Sequence, residues 1–195
     1  MLYLVALFTG IRQSEVIGLT WDCVNFDKGT LRVRRQWIKN RETKKYEFQS
    51  LKNDKPRYVS PPLEVLLWLL EEFSRQEKNR EIAGPLWGNP ENLIFTNEFG
   101  RHLVHNTVYK HYKKLVAQIG EPNSRFHDLR HTYAVAGLQS GDDMKTLQEN
   151  LGHHSAAFTM STYGHFTENM RRSSSERMQE FINRYVKKEE DKPSE

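Results

Sequence analysis

Pro61-Pro62 runs directly into an apolar stripe at Leu63, Leu66, Leu67, Leu70 and Phe73. Proline suits the first turn of a helix and breaks it further in, and the i, i+3, i+4, i+7 spacing is that of a core-facing helical face. A strong helix therefore starts there and ends near Arg80. Before it the pattern changes. Residues 30–37, 46–51 and 57–60 are β-branched and aromatic, broken by Asn40-Arg41 and Asn53-Asp54, which predicts a small antiparallel β-sheet. The fold class is therefore α+β, mainly α-helical, with the sheet near the N-terminus.

The remaining segments read as helices. Residues 2–8 form a buried helix closed by Gly10, and Ser14 caps a short second helix that runs to Thr20. A later helix carries Val108, Tyr112, Leu115, Val116 and Ile119, with Gly120 at its end. Residues 127–140, 143–151 and 156–163 predict three shorter helices punctuated by Gly141 and Gly152. Residues 168–186 predict a last amphipathic helix with Met178, Phe181, Ile182 and Tyr185 on one face. At 195 residues the chain suits one domain, spanning 1–186, with 187–195 a disordered polar tail.

Hydrophobic residues make up 37% and charged residues 28%, enough to bury a core. The longest apolar runs, 2–8 and 63–70, fall far short of the roughly 20 residues that span a bilayer. No Lys or Arg precedes the first run, so it is a poor signal peptide. The single cysteine, Cys23, forms no internal disulfide and reads as a core filler in a reducing compartment. A cytoplasmic protein without a membrane association is expected.

Charge is concentrated. The net charge is +4, yet residues 28–57 hold eleven basic and three acidic side chains, a local +8 that leaves the rest at −4. Such a field suits a surface that neutralises phosphates, which makes nucleic acid the favoured partner. A solvated basic hairpin with no ligand is the plain alternative.

Three pieces carry chemistry. In Thr9-Gly10-Ile11-Arg12-Gln13-Ser14-Glu15 a glycine-bounded turn presents an arginine beside a helix N-terminus, a natural anion site. In His127-Asp128-Leu129-Arg130-His131-Thr132, His127 and Arg130 share a helix face. Leu151-Gly152-His153 is followed ten residues after the histidine by Tyr163, within Ser161-Thr162-Tyr163-Gly164-His165. Each has a plainer reading: Arg12 pairs with Glu15 across a turn, Tyr163 is a packing residue, and His127 with His131 has the i, i+4 spacing of a zinc pair. No H-E-x-x-H is present, so His131 is read as a packing or supporting residue.

In this order the pieces resemble the catalytic domain of the tyrosine recombinases, the phage and conjugative-transposon integrase family of site-specific DNA recombinases. Nearly the whole chain is covered. The family's set is an arginine in T-G-x-R-x-S-E, a lysine in a β-hairpin, an H-x-x-R pair, a histidine after L-G and a nucleophilic tyrosine. These match Arg12, Lys52, His127 with Arg130, His153 and Tyr163, with Lys55 three residues from Lys52 in the same hairpin. The interval from His153 to Tyr163 is one residue longer than the commonest family form.

The resemblance implies an integrase-type catalytic domain that cleaves and rejoins DNA through a 3′-phosphotyrosine on Tyr163, without metal, cofactor or ATP. Arg12 and Arg130 would hold the charge on the nonbridging oxygens, and Lys52 would protonate the leaving 5′-oxygen. His127 and His153 would orient the phosphate and assist proton transfer. It also implies a double-stranded DNA partner, a homo-tetramer on DNA with exchange of a C-terminal helix, a monomer as an isolated domain, and a nucleoid-associated place in a bacterial or phage-infected cell. Family members carry further helix and DNA-binding domains ahead of the arginine turn, so an N-terminally truncated domain is expected. A type IB topoisomerase-like activity and a catalytically inactive DNA-binding regulator are the alternatives.

Overall fold

The computed structural model describes residues 1–51, 55–152 and 175–183. Helices α1 (Leu2–Thr9) and α2 (Gln13–Ile17) lead into short strands β1 (Val24–Asn25), β2 (Thr30–Val33), β3 (Arg35–Lys39), β4 (Tyr46–Ser50) and β5 (Arg57–Val59). The helical part follows: α3 (Leu63–Ala83), α4 (His105–Gln118), α5 (Asp128–Ser140) and α6 (Met144–Leu151), with 3-10 turns at Trp21–Cys23 and Gly84–Leu86. Residues 175–183 are also helical and exposed. The expected helix over 156–163 lies outside the described residues, as do Tyr185 and the polar tail. Among the described residues, no helix is long and apolar enough to cross a membrane.

The expected single sheet is two antiparallel sheets, one ordered β1-β2-β5 and one the β3-β4 hairpin. The chain divides at Arg34, whose guanidinium pairs with Asp22. On one side Leu31 and Val33 face Val59 and the main core, and Leu31 lies opposite Val59 in the ladder. On the other, Trp37 is buried beneath Tyr46, Phe48 and His102, which contact its ring. The break between β2 and β3 lets the two strands bury separate apolar sets, Leu31 and Val33 in one sheet and Trp37 in the other.

α3 forms where Pro61-Pro62 predicts, but it turns a different face inward. Val65, Leu66, Leu69, Glu72 and Gln76 are buried, whereas Leu63, Leu67, Leu70 and Phe73 are exposed. Its apolar residues cover too wide an arc for spacing to select one stripe. Polar partners decide: Gln76 Nε2 donates to the carbonyls of Leu93 (2.9 Å) and Ile94 (2.5 Å), and its Oε1 accepts from Trp21 Nε1 at 2.9 Å. Glu72 pairs with Arg75. A buried polar group with its bonds made costs little, so this face faces the core.

Elsewhere the apolar spacing is closer to the mark. α4 buries Val108, Tyr112 and Val116 as expected, while Leu115 and Ile119 stay exposed. α5 and α6 close a second, smaller core of Ala134, Leu138, Leu147 and Leu151. Asp143 caps α6 by accepting from the N–H groups of Lys145 and Thr146, each at 2.9 Å. Ser14 does not cap α2. It lies inside the helix, and its hydroxyl donates to Gln36 Oε1 at 3.1 Å.

Candidate active site

α1 must end sharply for Arg12 to be presented, and Gly10 ends it with φ of 65°. A Cβ at Gly10 would overlap the Tyr133 ring of α5, so glycine serves both the left-handed turn and the close approach of α5. Ile11 is buried and anchors the turn. Arg12 then occupies the N-cap of α2 in extended conformation.

Glu15, three residues on, gathers the turn. It accepts the Arg12 backbone N–H on Oε2 and Arg12 Nη1 on Oε1, both at 2.8 Å. Its other partner comes from β5: Arg57 donates Nη2 to Oε2 at 2.7 Å and Nη1 to Oε1 at 3.2 Å. Glu15 is 2% exposed and Arg57's side chain 9%, whereas Arg12's is 30%. Burial works to raise the Glu15 pKa, but the hydrogen bonds and charge of Arg57, and then of Arg12, hold it down at about 2. The carboxylate is therefore ionised throughout the neutral range.

Arg130 reaches the same turn from α5. It is 2% exposed and donates Nη1 to the Gly10 carbonyl at 2.8 Å and Nη2 to the carbonyl of Leu151. Arg57 Nε donates to the adjacent carbonyl of Asn150 at 2.7 Å. The last carbonyls of a helix lack intrahelical partners and carry partial negative charge, so two guanidinium groups are well placed at the C-terminus of α6. Asn150 Nδ2 in turn donates to the Tyr133 hydroxyl at 3.1 Å. A guanidinium has five N–H donors, so a structural bond and an anion contact are compatible on one side chain.

His127 stands exposed at the N-cap of α5. Its pKa is lowered, first by desolvation and then by the charges of His131, Arg130 and Arg12, with Asp128 opposing. The His127 and His131 rings lie 4.9 Å apart edge to face. Among the described residues no group of three or more His, Cys, Asp or Glu side chains could hold a metal ion.

Thus Arg130 brings α5 to the turn that presents Arg12, and His127, three residues before Arg130, stands at the N-cap of that helix. Lys52, His153 and Tyr163 lie outside the described residues. Their described neighbours are Leu51, which is buried, and Gly152, whose Cα faces the Arg57 guanidinium closely enough that a Cβ would lie 3.1 Å from Nη1. Sequence reading placed Arg57 only within the basic cluster. Its burial partner is 42 positions away, and nothing in local spacing marks it.

The basic segment itself divides. Arg34 pairs with Asp22, Arg35 stacks on Phe48 with its guanidinium carbon 3.6 Å from the ring centroid, and Arg57 is buried. Lys39, Arg41, Lys44 and Lys45 are exposed at the β3-β4 hairpin tip, where Asn40 Oδ1 accepts the N–H groups of Glu42 (2.8 Å) and Thr43 (3.1 Å). Lys28, Arg32 and Lys55 are exposed as well, and the tip gathers four of the exposed basic side chains of the cluster.

This architecture is that of an integrase catalytic domain, and comparison with known proteins agrees. Residues 1–170 match the model of the phage integrase family, and the chain belongs to that family of tyrosine recombinases. It is 34% identical over 175 residues to a XerC-like tyrosine recombinase of Caldanaerobacter subterraneus subsp. tengcongensis, covering 84% of this chain and 44% of that protein. It is 32% identical over 159 residues to the tyrosine recombinase XerD of Pseudomonas putida, covering 80% and 45%. The chain thus spans a little under half the length of these relatives. Among solved structures, the Tn1549 transposon integrase superposes with a TM-score of 0.72 at 24% identity, covering 90% of this chain and 57% of that one. This is a likeness of fold.

Proposed function

We propose that the chain carries the catalytic portion of a site-specific DNA recombinase that breaks and rejoins strands through a covalent 3′-phosphotyrosine on Tyr163. The observation that carries the reading is the Arg130 bond to the carbonyl of Gly10, in the turn that presents Arg12, with His127 three residues before Arg130 at the N-cap of α5, matching the family's arginine turn and H-x-x-R pair. In support, the Tn1549 integrase neighbour is bound to a circular intermediate DNA and the XerH neighbour to its difH substrate.

In this mechanism the Tyr163 oxygen attacks the scissile phosphorus and the bond to the 5′-oxygen breaks. Arg12 and Arg130 stabilise the charge that builds on the nonbridging oxygens, and removing either costs about 10²–10³ in rate. Lys52 protonates the departing 5′-oxygen, worth about 10²–10⁴. His127 and His153 position the phosphate and relay the tyrosine proton. The covalent link retains the bond for rejoining, so ATP is not needed. Fixed cations supply the electrostatics, so the reaction as written needs no metal. The hairpin tip from Lys39 to Lys45 follows the DNA backbone, and the helix at 175–183, with Met178, Phe181 and Ile182 exposed, docks on a neighbouring protomer in a tetramer. The protein works at DNA in the bacterial or phage-infected cytoplasm.

The test is a nicked suicide duplex, tiled from the DNA flanking the coding sequence, incubated with the chain in EDTA. An SDS-resistant adduct that Tyr163→Phe abolishes is the expected result. Salt-sensitive binding with no adduct would instead identify an inactive DNA-binding regulator, and supercoil relaxation without exchange between sites a topoisomerase-like enzyme. Loss of multimers on DNA when residues from 175 onward are deleted tests the docking helix.

A further inference from the structure

Arg57 is the basic residue of the 28–57 segment that the charge reading explains least, because its side chain is only 9% exposed and turned inward. It grips both oxygens of Glu15, donates Nε to the Asn150 carbonyl at 2.7 Å, and lies against Gly152. Three stretches of chain meet on one guanidinium: the turn that presents Arg12, strand β5, and the C-terminal end of α6, two residues before His153.

We propose that Arg57 is a positioning residue for strand cleavage, holding Glu15, and through it the Arg12 guanidinium, in register with the end of α6. This rests on the recombinase reading above. The charge arithmetic gives the physical reason. An isolated Arg12–Glu15 pair is neutral and would satisfy Arg12 without a phosphate. With Arg57 sharing the carboxylate, the group of three carries one net positive charge, and Arg12, its most exposed member, presents that charge outward. The fork geometry also matters: two parallel N–H groups fix the plane of the carboxylate, which a single ammonium does not. Burial excludes Arg57 from the role of its exposed neighbours Lys39 to Lys45, so its effect on DNA travels through Arg12.

The experiment compares Arg57→Gln and Arg57→Lys by the single-turnover rate of adduct formation at saturating nicked DNA, by the DNA dissociation constant, and by the Arg12 Nε–H resonance of arginine-labelled free protein. Expected for Arg57→Gln is a rate loss of about 10–100-fold, as for a displaced positioning group, with the dissociation constant changed by less than about threefold. In an Arg12→Ala background the same substitution should cost under about twofold, because its route of action has gone. Arg57→Lys, which keeps the charge and loses the fork, should fall between and carries the comparison if Arg57→Gln fails to fold. Equal rate losses in both backgrounds, or weakened binding at an unchanged rate, would overturn the proposal. If the parent forms no adduct, the recombinase reading falls, while the resonance still decides the linkage: it should shift or broaden on Arg57 substitution, and an unmoved signal refutes it.

Discussion

Arg130 Nη1 donates to the Gly10 carbonyl at 2.8 Å across 120 residues of chain. That bond, with its companion to the Leu151 carbonyl, ties the turn after α1 to the C-terminal end of α6. Arg130→Met would leave both buried acceptors without this donor. Unfolding free energy in urea should fall by about 2–4 kcal/mol. Arg130→Lys, a point donor unable to span both carbonyls, should recover less than half of that loss.

Glu15 should govern part of the acid stability. Its pKa is about 2 when folded against an ordinary 4.5. A carboxyl with a depressed folded pKa contributes stability that is complete above the unfolded value and is lost as pH falls through the folded one. The contribution should therefore fade between about pH 5 and pH 2, totalling about 3 kcal/mol. Urea titrations of the chain and of Glu15→Gln across that window should differ most in slope there and run parallel above it.

Gly10→Ala should be severe for two separable reasons, the left-handed φ of 65° and the Tyr133 ring in the path of a Cβ. The backbone term alone is about 1–2 kcal/mol. Tyr133→Ala removes the steric part, so the double variant should be less destabilised than the sum of the single changes. Thermal melts of the four proteins complete the cycle.

His127 should titrate below the ordinary histidine value of 6.5, because desolvation and the nearby His131, Arg130 and Arg12 charges disfavour its cation. Proton NMR of the free chain should show this, with the midpoint moving up in His131→Gln. Since the unfolded chain binds this proton more readily, the residue's contribution to stability is present above pH 6.5 and declines as pH falls below it. A phosphate placed in the site should raise the midpoint.

The segments whose physics is local were legible in the chain itself. Gly10 ends α1 in a left-handed conformation, and Asp143 caps α6 by equally short-range chemistry. The β-branched and aromatic run up to Trp37 announced strands, and the ordered arginine, histidine and tyrosine pieces announced a family. The face α3 buries was not legible. Its apolar residues surround most of the helix, and the choice falls to Gln76, whose partners Trp21, Leu93 and Ile94 lie elsewhere in the fold.

The sequence by itself determined the helix and strand types, the basic hairpin and the residues that resemble a recombinase site, because propensity, capping and spacing act over a few residues. Only the tertiary structure decided which charges stay exposed and which are used within the fold. Arg41 and Arg57 look alike in a list of basic residues, yet one stands exposed at a hairpin tip and the other is buried between Glu15 and the end of α6. A guanidinium takes its role from the acceptors around it, and those acceptors come from segments that folding alone brings together.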